Sequence, residues 1–229
     1  PNPFAEDRPV LTPDAAPAAA READPLSGCM RDLTAEARAG SIHAAVGRRT
    51  ESMQILEVLA RRSKNNVILV GEAGTGKTRI VEGFAVDLVS GTYEGAVGIA
   101  KVVELSIGGL MTGTQYRGAL EEKVQELIRS LEGRKDTVLF IDEIHLIMGS
   151  GSTDGDSMDI ANLIKPALRG GKLRVIGATT YDEYRRFIER DPAIERRFQM
   201  VRVESLDSTE TLAVLRELKP RLEEHHRVR

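Results

Sequence analysis

Cysteine is almost missing from this sequence: Cys29 stands alone among 229 residues. A lone thiol excludes an intramolecular disulfide framework and fits a reducing, cytoplasmic compartment. No apolar run approaches the roughly 18 residues of a membrane span, and no charged-then-apolar leader opens the chain. Positive charge is not in excess either, since 32 Lys and Arg face 35 Asp and Glu for a net charge of −3. That balance disfavours a dedicated nucleic-acid binder. What remains is a chain of one large domain, or one and a half at about 150 residues each. Such a length buries a sizeable core without disulfide or metal staples. The first residue is Pro1 rather than Met and the last is Arg229, which reads as a segment of a longer protein.

Composition shifts along the chain. Residues 1–27 hold six of the nine prolines, together with an alanine-rich stretch at Ala15–Ala20. Proline removes backbone donors and blocks regular structure, so this part reads as a disordered tail or linker. Gly28–Gly40 reads as one short helix, and Thr50 as the N-cap of a helix running to Arg62. From Val67 onward, strands alternate with helices. Strands are expected at 67–70, 101–105, 137–141, 173–176 and 200–203, and helices at 78–90, 117–131, 157–169, 180–190 and 208–219. This alternation predicts an α/β fold: three layers, with a five-stranded parallel sheet covered on both faces.

The run Gly71-Glu72-Ala73-Gly74-Thr75-Gly76-Lys77-Thr78 matches G-x-x-x-x-G-K-[ST], between an apolar strand and an amphipathic helix. Glycines let a backbone wrap a phosphate with several N–H groups inward, and the helix N-terminus adds its dipole. Lys77 then reaches the β- and γ-phosphates, and Thr78 ligates Mg²⁺. These residues predict an ATP site.

Val138–Ile141 delivers Asp142 and Glu143 at a strand end. In phosphate-loop enzymes an aspartate here holds Mg²⁺, and the next glutamate is placed to take a proton from water. Acids in the first turn of a helix would give the same pattern alone. Paired with the phosphate loop, they point to ATP hydrolysis. Arg174–Thr180 is a strand ending in two hydroxyls. Either Thr180 or Thr179 faces the γ-phosphate, or a threonine caps the next helix. Arg196 and Arg197 serve either a neighbouring subunit's transition state or a solvated face. His43, His145, His225 and His226 lack companions at metal-ligand spacing, so they read as structural or surface residues.

Taken together, these residues resemble the first AAA+ module of the Clp unfoldases, of the ClpA, ClpB and ClpC type. The resemblance is carried by Val46-Gly47-Arg48, Arg61–Asn66, GEAGTGKT at 71–78, Tyr116-Arg117-Gly118 and FIDEIH at 140–145. Further matches are Ala161–Pro166, GATTYDEYR at 177–185, Glu195–Phe198 and Glu224-His225-His226. It covers residues 28–229 and implies a P-loop NTPase large subdomain, with the family's small helical subdomain lying beyond Arg229. It implies adenine packing at Val46 and Gly47, a γ-phosphate sensor at Thr180, and trans-acting arginines at Arg196 and Arg197. Tyr116 is similar to the pore tyrosine that grips substrate. The implied partners are five further copies in a hexamer, unfolded or aggregated polypeptide, and a protease or co-chaperone.

The rival function is a nucleic-acid motor on the same fold. A DNA-tracking loop needs cations for phosphates, yet residues 108–118 contain only Arg117. A slow regulatory ATP switch is a third reading, and the acids, Thr180 and Arg196 argue against it. Residues 149–157 form either a second pore loop or a plain surface loop.

Overall fold

The computed structural model describes residues 28–93, 98–112, 117–148, 158–170 and 173–227. The expected tail at 1–27, Tyr116 and the loop 149–157 lie outside these residues.

The strands are β1 (Met30–Asp32), β2 (Asn66–Val70), β3 (Lys101–Leu105), β4 (Thr137–Ile141), β5 (Arg174–Thr179) and β6 (Phe198–Arg202). They form one sheet in the order β1-β3-β4-β5-β2-β6. Every pairing is parallel except β1 with β3, which is antiparallel. The five expected strands are present, and a sixth joins them. Residues 28–40 are therefore not one helix. Met30–Asp32 pairs along the free edge of β3, and the Asp32 side chain then caps α1 (Leu33–Arg38) by accepting from the Ala35 N–H.

The helices that follow are α2 (Arg49–Leu59), α3 (Lys77–Val89), α4 (Ile107–Met111), α5 (Arg117–Leu131), α6 (His145–Met148) and α7 (Met158–Arg169). After β5 come α8 (Tyr181–Glu183), a π-helix at Tyr184–Ile188, α9 (Pro192–Glu195) and α10 (Ser208–His226). Several boundaries differ from expectation: α2 stops at Leu59 rather than Arg62, β5 runs on to Thr179, β6 begins at Phe198, and α10 continues to His226. Thr50 does not cap α2; that position falls to Arg48, whose guanidinium carries donors only and so makes no side-chain cap bond. The segment 180–190 is a short α-helix that widens into a π-helix rather than one regular helix.

Period-2 alternation sends strand residues to opposite faces. Val67, Leu69, Val138 and Phe140 join Leu33, Ile55, Ile80 and Phe84 on the face covered by α1, α2 and α3. Ile68, Val70, Leu139 and Ile141 join Leu120, Val124, Ile164 and Leu168 on the face covered by α5 and α7. Both clusters are buried, which makes three layers. Because β2 to β6 are parallel, their carboxyl ends open on one side, where an open α/β sheet binds its ligands.

Candidate functional site

The carboxyl ends of β2, β3, β4 and β5 enclose a cleft of about 910 Å³. β2 runs into the 71–76 loop, in which Gly74 and Gly76 take φ of 80° and 86°. Only glycine adopts that region freely, so these two residues let the loop curl and start α3. Gly76 is the N-cap of α3, and Lys77 and Thr78 form its first turn. The Lys77 ammonium folds back on its own loop, donating to the carbonyls of Gly71 (3.0 Å) and Glu72 (2.9 Å). Thr75 is buried and its hydroxyl donates to the Glu72 carbonyl at 2.9 Å. Ala73, Gly74, Gly76, Lys77 and Thr78 line the cleft, whereas the Glu72 side chain is exposed.

Asp142 and Glu143 arrive from β4. The Thr78 hydroxyl donates to Asp142 Oδ2 at 2.6 Å, so side chains 64 positions apart meet at one point. Glu143 is exposed into the same cleft and holds a left-handed backbone with φ 49°. Glu104 and Glu183 add two more carboxylates to the lining, beside Lys77, the one lysine or arginine among the described lining residues. Oxygen donors on the cleft wall suit a hard divalent cation, and the Thr78 hydroxyl and Asp142 carboxylate already meet there.

From β5, Thr179 and Thr180 both reach the cleft. Thr180 caps α8 in a reciprocal box with Glu183, and its hydroxyl donates to Glu183 Oε2 at 2.7 Å. The capping alternative thus describes what Thr180 does in this structure, while leaving it on the cleft wall. Burial pushes the Glu183 carboxyl up. Bonds from Thr180 and Thr179 and the nearby imidazole of His145 outweigh that and hold it below the usual carboxylate range. His145, read from the sequence as a structural or surface residue, also lines the cleft.

A second cavity of about 280 Å³ adjoins the loop on its other side. Val46 lines it together with Leu206, Val214 and Leu218. Gly47 itself is not on the wall; with φ 72° it turns the chain between Val46 and Arg48. Arg48 is 7% exposed, and its guanidinium donates to the carbonyls of Thr75 (2.8 Å) and Glu204 (2.9 Å) and to Glu51 (2.7 Å). It joins the phosphate loop to the segment entering α10. Arg196 and Arg197 end α9 and are both exposed, outside either cavity.

A family profile described as "ATPase family associated with various cellular activities (AAA)" matches residues 67–205, from β2 through β6. The chain belongs to this AAA family. The AAA module is 43% identical over 223 residues to a ClpA homolog protein of Fuscovulum blasticum, covering 97% of this chain and 28% of that one. It is 44% identical over 207 residues to the chaperone protein ClpB of Agrobacterium fabrum, covering 90% and 24%. A third relative is the ATP-dependent Clp protease ATP-binding subunit ClpL of Staphylococcus aureus, 46% identical over 201 residues, covering 87% and 29%. Among solved structures, the S. cerevisiae Hsp104–ADP complex superposes with a TM-score of 0.80 at 43% identity, covering 89% of this chain and 35% of that one. The S. cerevisiae Hsp104–casein complex gives 0.78 at 41%, covering 90% and 35%. The AAA module thus spans about a quarter of these curated relatives and a third of the solved chains.

Residue patterns had pointed to most of the phosphate side. They had not pointed to Glu104, Glu183, Leu206, Val214 or Leu218. Val214 and Leu218 lie on the helix expected at 208–219, and Leu206 just before it.

Proposed function

We propose that this chain is the ATP-binding and hydrolysing module of a ring-forming Clp-type unfoldase that threads polypeptide through a central pore. The observation that carries the reading is the meeting of two distant motifs at one cleft, with Thr78 bonded to Asp142 beside Lys77 and Glu143. Lys77 leaves its own carbonyls to bind the β- and γ-phosphates, as the loop N–H groups and the α3 N-terminus cradle them. Thr78 and Asp142 would hold Mg²⁺, which when bound screens phosphate charge and orients the chain of phosphates. Adenine would occupy the cavity between Val46 and Leu218, whose walls are largely apolar. Glu143 takes a proton from the water that attacks the γ-phosphorus.

Residues 28–229 act as the large subdomain in this reading, and residues 1–27 as a linker. Thr180 would sense the γ-phosphate. Arg196 and Arg197, both exposed, would reach the ATP of a neighbouring copy in a hexamer. Tyr116 would grip substrate. The casein bound to Hsp104 in its solved complex supports a polypeptide substrate. A protease or co-chaperone partner, and a cytoplasmic site consistent with the single cysteine, complete the proposal. Among the described residues that line the cleft, Glu104, Asp142, Glu143 and Glu183 surround Lys77, a charge balance that suits a polynucleotide backbone poorly.

The test uses the full-length protein. Glu143→Gln should bind ATP with wild-type affinity and hydrolyse it about 10²- to 10⁴-fold more slowly, the usual share of a general base. Unfolded protein, and not DNA, should stimulate wild-type turnover. Normal turnover in Glu143→Gln would assign the base elsewhere, and stimulation by DNA alone would overturn the substrate class.

A further inference from the structure

Glu143 is the residue on which hydrolysis turns in the reading above, yet its backbone sits at φ 49°. A non-glycine residue stays in that region only when its surroundings over-determine it. The bonds that do so are visible. The Glu143 N–H donates to Asp142 Oδ1 at 3.0 Å, and the Ile144 N–H donates to the Ala178 carbonyl of β5 at 3.0 Å. Ile144 also packs over Gly177, where an added Cβ would lie 2.8 Å from Ile144 Cδ1. The third anchor is His145. Its side chain is 11% exposed, and its ring stacks on Phe187 with centroids 6.4 Å apart and planes at 19°. One ring nitrogen, Nε2, is 3.0 Å from Glu183 Oε1, and the other, Nδ1, is 3.1 Å from the Thr179 hydroxyl.

Glu183 gathers the rest. Its Oε2 accepts the Thr180 hydroxyl (2.7 Å), the Thr180 N–H (3.2 Å) and, at 3.2 Å, the Thr179 hydroxyl. The protons can be placed in two ways without moving a heavy atom. With a neutral ring, Nε2–H donates to Glu183 and Nδ1 accepts the Thr179 proton. With a charged ring, both nitrogens donate and the Thr179 hydroxyl turns to Glu183. In either state the carboxylate holds the Thr180 hydroxyl, the Thr179 hydroxyl is held by the imidazole or by the carboxylate, and the imidazole ties that carboxylate to the turn carrying Glu143. Helix capping does not by itself require this. The Asp207–Glu210 box that opens α10 closes the same reciprocal bonds with no imidazole attached.

We propose that Glu183 and His145 form a positioning unit for ATP hydrolysis, which fixes the β5 hydroxyls and the Glu143 turn relative to each other. Engagement of a γ-phosphate by either threonine is then felt at the turn that holds the base, through two side chains that need touch neither phosphate nor water. The inference rests on the ATPase reading, and its test separates the two.

In the full-length protein, kcat and KM for ATP, affinity for a non-hydrolysable ATP analogue and melting temperature are measured for Glu183→Gln, His145→Leu, His145→Gln and the double variant Glu183→Gln/His145→Leu. Glu183→Gln and His145→Leu should each lower kcat about 10- to 100-fold, the usual cost of losing an outer partner, while KM and analogue affinity stay at wild-type values. His145→Gln, which still offers an N–H toward Glu183, should recover most of the loss. The double variant should be no slower than the worse single one, because members of one unit are not additive. The inference is overturned if kcat stays at the wild-type value, if affinity and melting temperature fall in step with kcat, or if the two losses multiply. Glu143→Gln run alongside is the control. If the wild-type protein turns over no ATP, the ATPase reading fails; if Glu143→Gln keeps full turnover, the base lies elsewhere; if Glu143→Gln alone is slow, only the positioning unit fails.

Discussion

The two cavities on either side of the phosphate loop are built on different physics. The phosphate cleft is walled by ends of buried strands, and its polar groups already hold one another, Lys77 on carbonyls, Thr78 on Asp142, and the β5 threonines on Glu183. The adjoining cavity is walled by Val46, Leu206, Val214 and Leu218, and its outer side is a single surface helix on which Leu218 is 36% exposed. One side is pre-ordered by hydrogen bonds to the sheet; the other offers apolar area on an element that the sheet does not hold. On the function proposed above, chemistry sits on the rigid side and base recognition on the adaptable one. Arg48 ties the phosphate loop, at the Thr75 carbonyl, to the segment that leads into α10, at the Glu204 carbonyl.

Lys77→Ala sharpens this contrast most. Removing the cation on the β- and γ-phosphates should weaken ATP and inorganic tripolyphosphate alike, on the order of 10²-fold, as read by calorimetry. Unchanged affinity for either would remove the phosphate assignment. Arg48→Ala acts on the joint between the two sides. It leaves the Thr75 and Glu204 carbonyls and the Glu51 carboxylate without their partner, and should cost about 2 kcal/mol of stability, or roughly 4–8 °C in melting temperature. A melting temperature equal to wild type would show that the guanidinium is not a clamp.

Leu218→Asp addresses the apolar side alone. A carboxylate in that wall should weaken ATP about tenfold and leave tripolyphosphate binding unchanged. Equal losses for both ligands would erase the distinction between the cavities. The smallest effect lies away from both, at the N-cap of α9. Burial pushes the Asp191 carboxyl up, but the Ala193 N–H and the Lys165 ammonium outweigh it and hold it below the usual carboxylate range. Its folded pKa is thus lower than its unfolded one. The stability it contributes is complete above the ordinary carboxylate range and is lost as pH falls through the folded value. Asp191→Asn should cost about 0.5 kcal/mol at neutral pH and nothing in strong acid. A gap in denaturation midpoints that persists at low pH would contradict this.

Legibility in sequence followed the length scale of each feature. The loop at 71–78 and the acid pair at 142–143 are contiguous, and an apolar strand announces each, so their residue types are readable without coordinates. The five parallel strands are readable for the same reason, as runs of Val, Ile and Leu buried on both faces. β1 is not, because three residues are too few to show alternation, and its pairing with β3 is a tertiary choice. The α2 start was misplaced because Thr50 has a capping side chain, while Arg48 takes the position for its reach to the Thr75 carbonyl. Glu183 and His145 are each ordinary on their own segments. Only the parallel pairing of β4 with β5 brings them together. Val214 and Leu218 belong to a helix with many charged neighbours, and their cavity exists only where α10 passes the loop.

The register of β2 sets the order in which this module is made. Both of its partners come late, β5 at Arg174–Thr179 and β6 at Phe198–Arg202. On a ribosome, Val67–Val70 emerges with neither edge covered and waits for more than a hundred further residues before the sheet closes around it. Sheets assembled from such distant pairings fold slowly, and an apolar strand waiting in the open is a template for unwanted pairing. The cleft lining runs from Ala73 to Glu183, so the chain carries all of it only late in its synthesis. A protein read here as a remodeller of other chains thus passes, during its own synthesis, through the kind of exposed state that it would later act upon.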